Sequence, residues 1–207
     1  MPTTAITAPS SIPETLPAPG DVHRITVDRY ERMIAGGLVD EGDRVELLGG
    51  VLVNRMAQGP DHVWAVDELA AQLDAMAAGE WHARKEHPAR LSEYDEPEPD
   101  VAVVLGPRSG LRGRHPVASE IPLVVEVAGT TQAEDRGIKQ ERYARAGIPT
   151  YWIVNLQTAV VEVYTDPDAV AGCYRGRADF GPGMRVPVVL SGTVAGEIAV
   201  ADLMPRA

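Results

Sequence analysis

The sequence predicts a mixed α/β (α+β) fold in which a central mixed β-sheet is flanked by helices. Three observations lead there. The runs Val101–Leu105 and Leu123–Ala128 are apolar on both faces of the strands they would form, as expected for strands covered on both sides. A helix-like segment, 133–146, stands between Leu123–Ala128 and a third apolar run at 151–155. That strand–helix–strand order suits a crossover joining parallel neighbours. Finally, Val63, Val66, Leu69, Ala70, Leu73 and Met76 recur at helical spacing, which predicts an amphipathic helix from Asp61 to near Gly79.

The remaining elements follow from local signals. Residues 1–20 are rich in Ala, Pro, Ser and Thr without periodicity, and read as a flexible tail before one domain over 21–207. Thr26 is placed to cap a short helix over Val27–Ala35, which Gly36-Gly37 would end. Segments 44–48 and 51–56 read as strands joined at Gly49-Gly50, a hairpin turn signal. Trp81–Lys85 and 89–92 are expected strand pieces around Pro88, and 106–120 is a loop rich in Gly, Arg and Pro. The helix at 133–146 stops at Gly147-Ile148-Pro149. Segment 160–165 alternates Val161, Val163 and Thr165 against Glu162 and Tyr164, and pairs with 151–155 as a hairpin. One or two short strands are expected in 173–190, and a helical turn at 199–203.

Composition narrows the function classes. A chain of 207 residues that is 44% hydrophobic is long enough for a full core. A single cysteine, Cys173, forms no internal disulfide and suits a reducing compartment; with no leader-like segment and no apolar run of membrane-spanning length, the expected location is the cytoplasm. The net charge of −11 argues against a strong general nucleic-acid binder, since phosphate neutralisation needs clustered Lys and Arg. Two local basic clusters stand against that: Arg108, Arg112, Arg114 and His115, and then Arg136, Lys139, Arg142 and Arg145. They are solvated face charges or a phosphate-binding rim. His23, His82, His87 and His115 show no zinc-ligand spacing.

The chemistry concentrates between Pro99 and Asn155. Asp100 stands at the mouth of one apolar run and Glu126 inside the next. On a strand, Val124, Glu126 and Ala128 share a face opposite Leu123, Val125 and Val127. An ionised carboxylate there is costly unless it is paired, hydrogen-bonded or bound to a cation. Lys139 follows on the next helix, with Asp135 one turn before it. Two acids on neighbouring strands and a nearby lysine are a minimal kit for Mg²⁺-assisted phosphodiester hydrolysis. The plain alternatives are a structural ion pair for Glu126, a solvated turn for Asp100, and a helix ion pair for Asp135 and Lys139.

The ordered set resembles a known family. Glu96-Pro97-Glu98-Pro99-Asp100 with Val101-Ala102-Val103-Val104, then Val124-Val125-Glu126-Val127-Ala128, Asp135-Arg136-Gly137-Ile138-Lys139 and Tyr143-Ala144-Arg145-Ala146-Gly147-Ile148-Pro149-Thr150-Tyr151-Trp152-Ile153-Val154-Asn155 are similar in kind and order to the Uma-two family of bacterial restriction endonucleases. That family lies in the PD-(D/E)XK nuclease superfamily. The likeness reaches upstream to Arg44–Val53 and to Pro60-Asp61-His62, and spans roughly residues 23 to 204. It implies a restriction-endonuclease-like core. It also implies an active site of Asp100, Glu126, Lys139 and Glu46, with metal held by Asp100, Glu126 and the main-chain carbonyl of Val127, and with His62 and Asp135 in support. Ala128 fills the slot where the superfamily usually has its lysine, and the resemblance moves that role to Lys139. Gly49, Val51, Gly129, Glu134 and Thr150 depart from the common pattern.

The first functional expectation is therefore an endonuclease that uses Mg²⁺, with Mn²⁺ as a substitute, and acts on DNA, with a homodimer as one option for its assembly. A non-catalytic nucleic-acid- or protein-binding module on the same fold is the alternative, and a fold whose acids are purely structural is the third. On the first reading, Lys139→Ala leaves folding nearly intact. Asp100 and Glu126 repel one another without metal, so Glu126→Gln leaves the metal-free protein no less stable. On the structural reading, Glu126→Gln strands a cationic partner instead.

Overall fold

The computed structural model describes residues 22–40, 42–55, 57–77, 79–129 and 135–205, with the side chains of Asp135 and Arg136 left aside. The expected tail at 1–20 and the first residues of the helix expected at 133–146 lie outside the described residues.

Chain order is α1 (Val27–Ala35), β1 (Val45–Leu48), β2 (Val51–Asn54), α2 (Pro60–Met76), β3 (Trp81–Lys85), β4 (Val101–Leu105), β5 (Leu123–Ala128), α3 (Gln140–Arg145), β6 (Thr150–Asn155), β7 (Val160–Asp168), β8 (Cys173–Phe180), β9 (Arg185–Leu190) and β10 (Thr193–Ala199). Strands β3 to β8 form one six-stranded sheet in sequence order. Only β5 and β6 run parallel; the other neighbours are antiparallel. The sheet is thus mixed, as expected, and the segment from Gly129 to Pro149, which contains α3, is the crossover that a parallel pair requires. Two hairpins, β1–β2 and β9–β10, stand outside this sheet.

Local signals explain most boundaries. The Thr26 hydroxyl accepts from the Arg29 N–H and caps α1, which stops at Gly36. Gly49 and Gly50 have φ of +60° and +80°, the left-handed pair that a two-residue hairpin turn demands. Pro60 opens α2 from a Gly59 cap, where its missing N–H costs nothing.

The sheet divides two layers. On one side Val101, Val103, Leu123, Val125, Val127, Trp152, Val154, Val161 and Val163 pack against α2 through Ala65, Val66, Leu69 and Leu73, and against β9–β10 through Val186, Val188 and Ile198. On the other side Ala102, Val104, Val124, Ala128, Ile153 and Tyr164 pack with Tyr143 of α3, Ile148 and Tyr151. The alternation read from Leu123–Ala128 and from residues 160–165 is the alternation observed.

Three local expectations need correction, and one strand stands where none is expected. Residues 89–92 form no strand: Arg90 makes one isolated bridge to Val117, and the segment bends because residues 95–97 hydrogen-bond back to it and to β1. Val63 is 45% exposed while Ala65 is fully buried, so the core stripe of α2 starts at Ala65 and then runs through Val66, Leu69, Ala70 and Leu73 as expected. Residues 135–139 form a π-helical turn rather than an α-helix, and α3 begins only at Gln140. Strand β10 had no expectation at all; Gly192, Gly196 and a register shift between Val194 and Gly196 break its alternation.

Candidate active site

The site grows out of sheet register. Val101 pairs with Val125, so one residue further Asp100 stands opposite Glu126, on the same face. Asp100 is 7% exposed and Glu126 1%, and both line a cleft of about 480 Å³ at this end of the sheet. Glu46, Glu98, His62, Val127 and Lys139 line it too. The expectation that the two acids meet on adjacent strands and one face describes what the fold builds.

Each carboxylate is held by specific partners. Asp100 Oδ2 accepts the Val127 N–H at 2.6 Å, tying the mouth of β4 to the end of β5. Its Oδ1 lies 3.2 Å from His62 Nε2, which the first turn of α2 brings to the strand end. Glu126 Oε1 accepts from the Tyr143 hydroxyl at 2.6 Å, and Oε2 from Lys139 Nζ at 3.1 Å. Lys139 and Tyr143 are four residues apart, one helical turn, which is why both reach one carboxylate. Burial and the nearby Glu126 and Glu46 charges push the Tyr143 phenol well above its ordinary range, so it stays a donor.

Glu46 sits on β1, 3% exposed, with Oε1 3.3 Å from Lys139 Nζ and Oε2 accepting the Glu98 N–H at 2.9 Å. Lys139 therefore bridges Glu46 and Glu126, and its own side chain is 15% exposed. This changes two expectations. Lys139 is not an exposed helix residue. Glu126 is held by a cation and a hydroxyl rather than destabilised by its neighbour, so the metal-free protein depends on its charge. Asp135 starts the π-helical turn that ends at Lys139; its side chain lies outside the described residues. Lys85, at the end of the neighbouring β3, pairs with Asp67 on the surface.

His62 has a pKa raised above its ordinary value. Burial acts to lower it, and the Asp100 carboxylate and the Val127 backbone outweigh that effect. Glu98, beside Arg55 at 2.5 Å, is also raised, first by burial and then by Glu46, with Arg55 acting against it.

The expected basic rim is largely taken up by acids. Arg108 pairs with Asp74, Arg114 with Glu120, Arg142 with Asp95 and Arg145 with Glu141. These are ordinary surface and half-buried pairs, and they reduce the positive field such clusters would present to phosphate.

Two residues of the site escaped sequence reasoning. Tyr143 carries a usable signal, the one-turn spacing from Lys139. Glu86 becomes visible only through register: Lys85 pairs with Val101, so Glu86 follows opposite Asp100. Among the described residues, His62, Glu86 and Asp100 form a group whose ligand atoms all lie within 4.8 Å of one another.

No curated protein matches the chain. A crystal structure described as a putative nuclease belonging to DUF820 from Anabaena variabilis shares the fold, with a TM-score of 0.66 at 17% identity, over 86% of this chain and 97% of that one. The family model described as Uma2, putative restriction endonuclease, matches residues 27–195. With most of its length matched, including every residue of the site, the chain belongs to the Uma2 (Uma-two) family of restriction-endonuclease-like proteins.

Proposed function

We propose that this chain is a divalent-metal-dependent endonuclease acting on DNA, with Asp100 and Glu126 as metal ligands and Lys139 as the catalytic cation. The observation that carries this reading is the convergence of Asp100, Glu126 and Lys139 at one cleft, on the strand ends and crossover helix of a nuclease-family fold. Two buried carboxylates supply hard oxygen donors, which fit Mg²⁺ or Mn²⁺. A cation held by Asp100, Glu126 and the Val127 main chain would polarise the scissile phosphate and lower the pKa of an attacking water.

The other roles follow from what each side chain touches. Tyr143 fixes the Glu126 carboxylate by donating to Oε1. The Val127 N–H fixes Asp100 by donating to Oδ2. Lys139 places its ammonium beside Glu126, where it can offset negative charge developing on the phosphate. Glu46 keeps that ammonium turned toward the cleft. Because most surface arginines are paired with acids, few phosphate contacts are available, and binding should show a shallow salt dependence.

The test is cleavage of supercoiled plasmid and of linear duplex by the purified protein in Mg²⁺, in Mn²⁺ and in excess chelator. Cutting that requires the metal and is lost in Asp100→Asn supports the reading. A parent that cuts nothing in either metal, or that cuts in chelator, contradicts it. A parent that retains DNA without cutting it would favour the binding-module alternative. Among the described residues no helix is long and apolar enough to cross a membrane.

A further inference from the structure

Among the described residues four arginines are half-buried: Arg55, Arg84, Arg90 and Arg142. Arg55 pairs with Glu98, Arg90 with Asp28 and Arg142 with Asp95. Arg84 pairs with no described acid, and its Nε is shielded from solvent without a hydrogen-bond partner. Its surroundings add positive charge. Burial, and then Arg108, push the Arg84 guanidinium below its ordinary pKa. Burial and then Arg84 lower His115 in turn, with His87 adding to the effect and Glu31 opposing it. Across the strand pair Arg84 faces Ala102, which offers no charge. A half-buried guanidinium among cations is costly as it stands and is relieved by an anion.

Space for that anion is present. Arg84, Lys85, His87 and Arg108 line a groove of about 480 Å³ between α2 and β3, the outermost strand of the sheet. The acids that share the groove are already engaged. Asp67 holds Lys85, Asp74 holds Arg108 at 2.6 Å and the Ala83 N–H at 2.7 Å, and Glu86 accepts from the Gln58 amide. Gln58 also lines the cleft, so groove and cleft meet at the Gln58–Glu86 contact. Arg84 lies two residues, ~7 Å of strand, from Glu86. It pairs with Ala102, two residues inward from Asp100, and so shares the sheet face of Asp100 and Glu126.

We propose that Arg84, with Lys85 and Arg108 beside it, forms a phosphate-binding site separate from the cleft, and that it holds a backbone phosphate of a DNA strand running from the cleft along β3. The guanidinium fork can donate to two oxygens of one phosphate. Lys85 and Arg108 keep further N–H donors beyond those their acids accept. The spacing from Glu86 is about one backbone repeat of an extended strand, which places a phosphate next to the scissile one within reach of Arg84. The assignment to DNA rests on the proposed nuclease reading; the phosphate site itself does not.

The experiment has two arms and compares the parent with Arg84→Met, Arg84→Lys and, as a control, Arg32→Gln on the exposed face of α1. In the first arm, melting in inorganic phosphate is set against melting in chloride at equal ionic strength. Phosphate should raise the midpoint of the parent, Arg84→Lys and Arg32→Gln more than that of Arg84→Met, by linkage to a bound anion. In chloride Arg84→Met should melt no lower than the parent, because an unmatched charge has been removed. In the second arm, fluorescence anisotropy with chelator present follows binding of a labelled oligonucleotide across a range of salt. Arg84→Met should weaken binding about tenfold and reduce the salt slope by about one, while Arg84→Lys keeps the slope and Arg32→Gln changes neither. Equal phosphate effects in the parent and Arg84→Met, or a lower melt of Arg84→Met in chloride, overturn the site. A phosphate effect lost in Arg84→Met with DNA binding unchanged keeps the anion site and overturns its place on the DNA path. A parent that neither holds nor cuts DNA overturns the nuclease reading and the DNA path together, and the phosphate arm alone decides the anion site.

Discussion

The two ends of one sheet row make an instructive comparison. Glu126 pairs across to Ile153, and Ile153 to Glu162, so two glutamates stand in one row on one face, two strands apart. Each is 1% exposed, and each accepts a hydrogen bond of 2.6 Å from a tyrosine, Tyr143 for Glu126 and Tyr164 for Glu162. Each also has a cation, Lys139 at 3.1 Å or Arg177 at 3.4 Å. They differ in what lies beyond. Glu162 is backed by Arg177, which stacks over Tyr164 and pairs with Asp179 at the solvent edge of β8. Glu126 opens on a cleft shared with Asp100, Val127 and His62. A buried, paired glutamate is thus not in itself a sign of function; convergence with a second acid at a cavity is.

Substitutions at the two ends should separate these roles. The largest effect belongs to the Asp100 and Glu126 end. Asp100→Asn or Glu126→Gln should reduce metal-dependent cleavage by about a thousandfold or more, since a bound metal contributes several kcal/mol to the transition state. Single-turnover cleavage measures this. Lys139→Ala should cost cleavage about a hundredfold, as when one transition-state donor is lost. It should also destabilise the metal-free protein by roughly 3–5 kcal/mol, because Glu46 and Glu126 lose the cation between them. Urea unfolding with chelator present checks the second figure, and an unchanged midpoint would mean that the bridge is not stabilising.

A pH effect comes next. Glu96, 1% exposed, has its pKa raised from 4.5 to about 7, first by burial and then by Glu31, against the attraction of Arg90. The folded carboxyl keeps its proton where the unfolded one has lost it. Stability is therefore full below about pH 4.5 and falls as pH rises toward 7, by ~3 kcal/mol at most. Glu96→Gln should flatten that slope in urea melts taken across this range. The smallest effect is at the other end of the row. Glu162→Gln should cost about 1–3 kcal/mol, the loss of a charged partner for Arg177 and Tyr164, and leave cleavage unchanged.

Much of this architecture was legible in the residues. The apolar runs at Val101–Leu105 and Leu123–Ala128, the crossover and the opposite faces of Leu123 and Val124 follow from periodicity alone, because burial on both faces dictates it. The meeting of Asp100 with Glu126 required only that β4 and β5 be neighbours. What remained hidden was set by tertiary pairing. Glu86 belongs to the site through cross-strand register, and register is not written in a single strand. Glu126 and Glu162 look alike in sequence because each sits among valines; only the cavity tells them apart. The pairing of Arg108 with Asp74 and of Arg142 with Asp95 depends on chain reversal that composition does not report. The π-helical turn at residues 135–139 is indistinguishable from an α-helix in sequence, because its side-chain spacing over one turn is close to helical.

The most direct measurement is the cleavage rate of Glu126→Gln beside that of Glu162→Gln, in the same Mn²⁺ buffer and on the same plasmid. The two substitutions make an identical chemical change to two equally buried, tyrosine-bonded carboxylates in one sheet row. Glu162→Gln should cut at the rate of the parent, Glu126→Gln should not cut, and chelator should stop all cutting. Equal rates from the two variants, whether both cut or both fail, would contradict it.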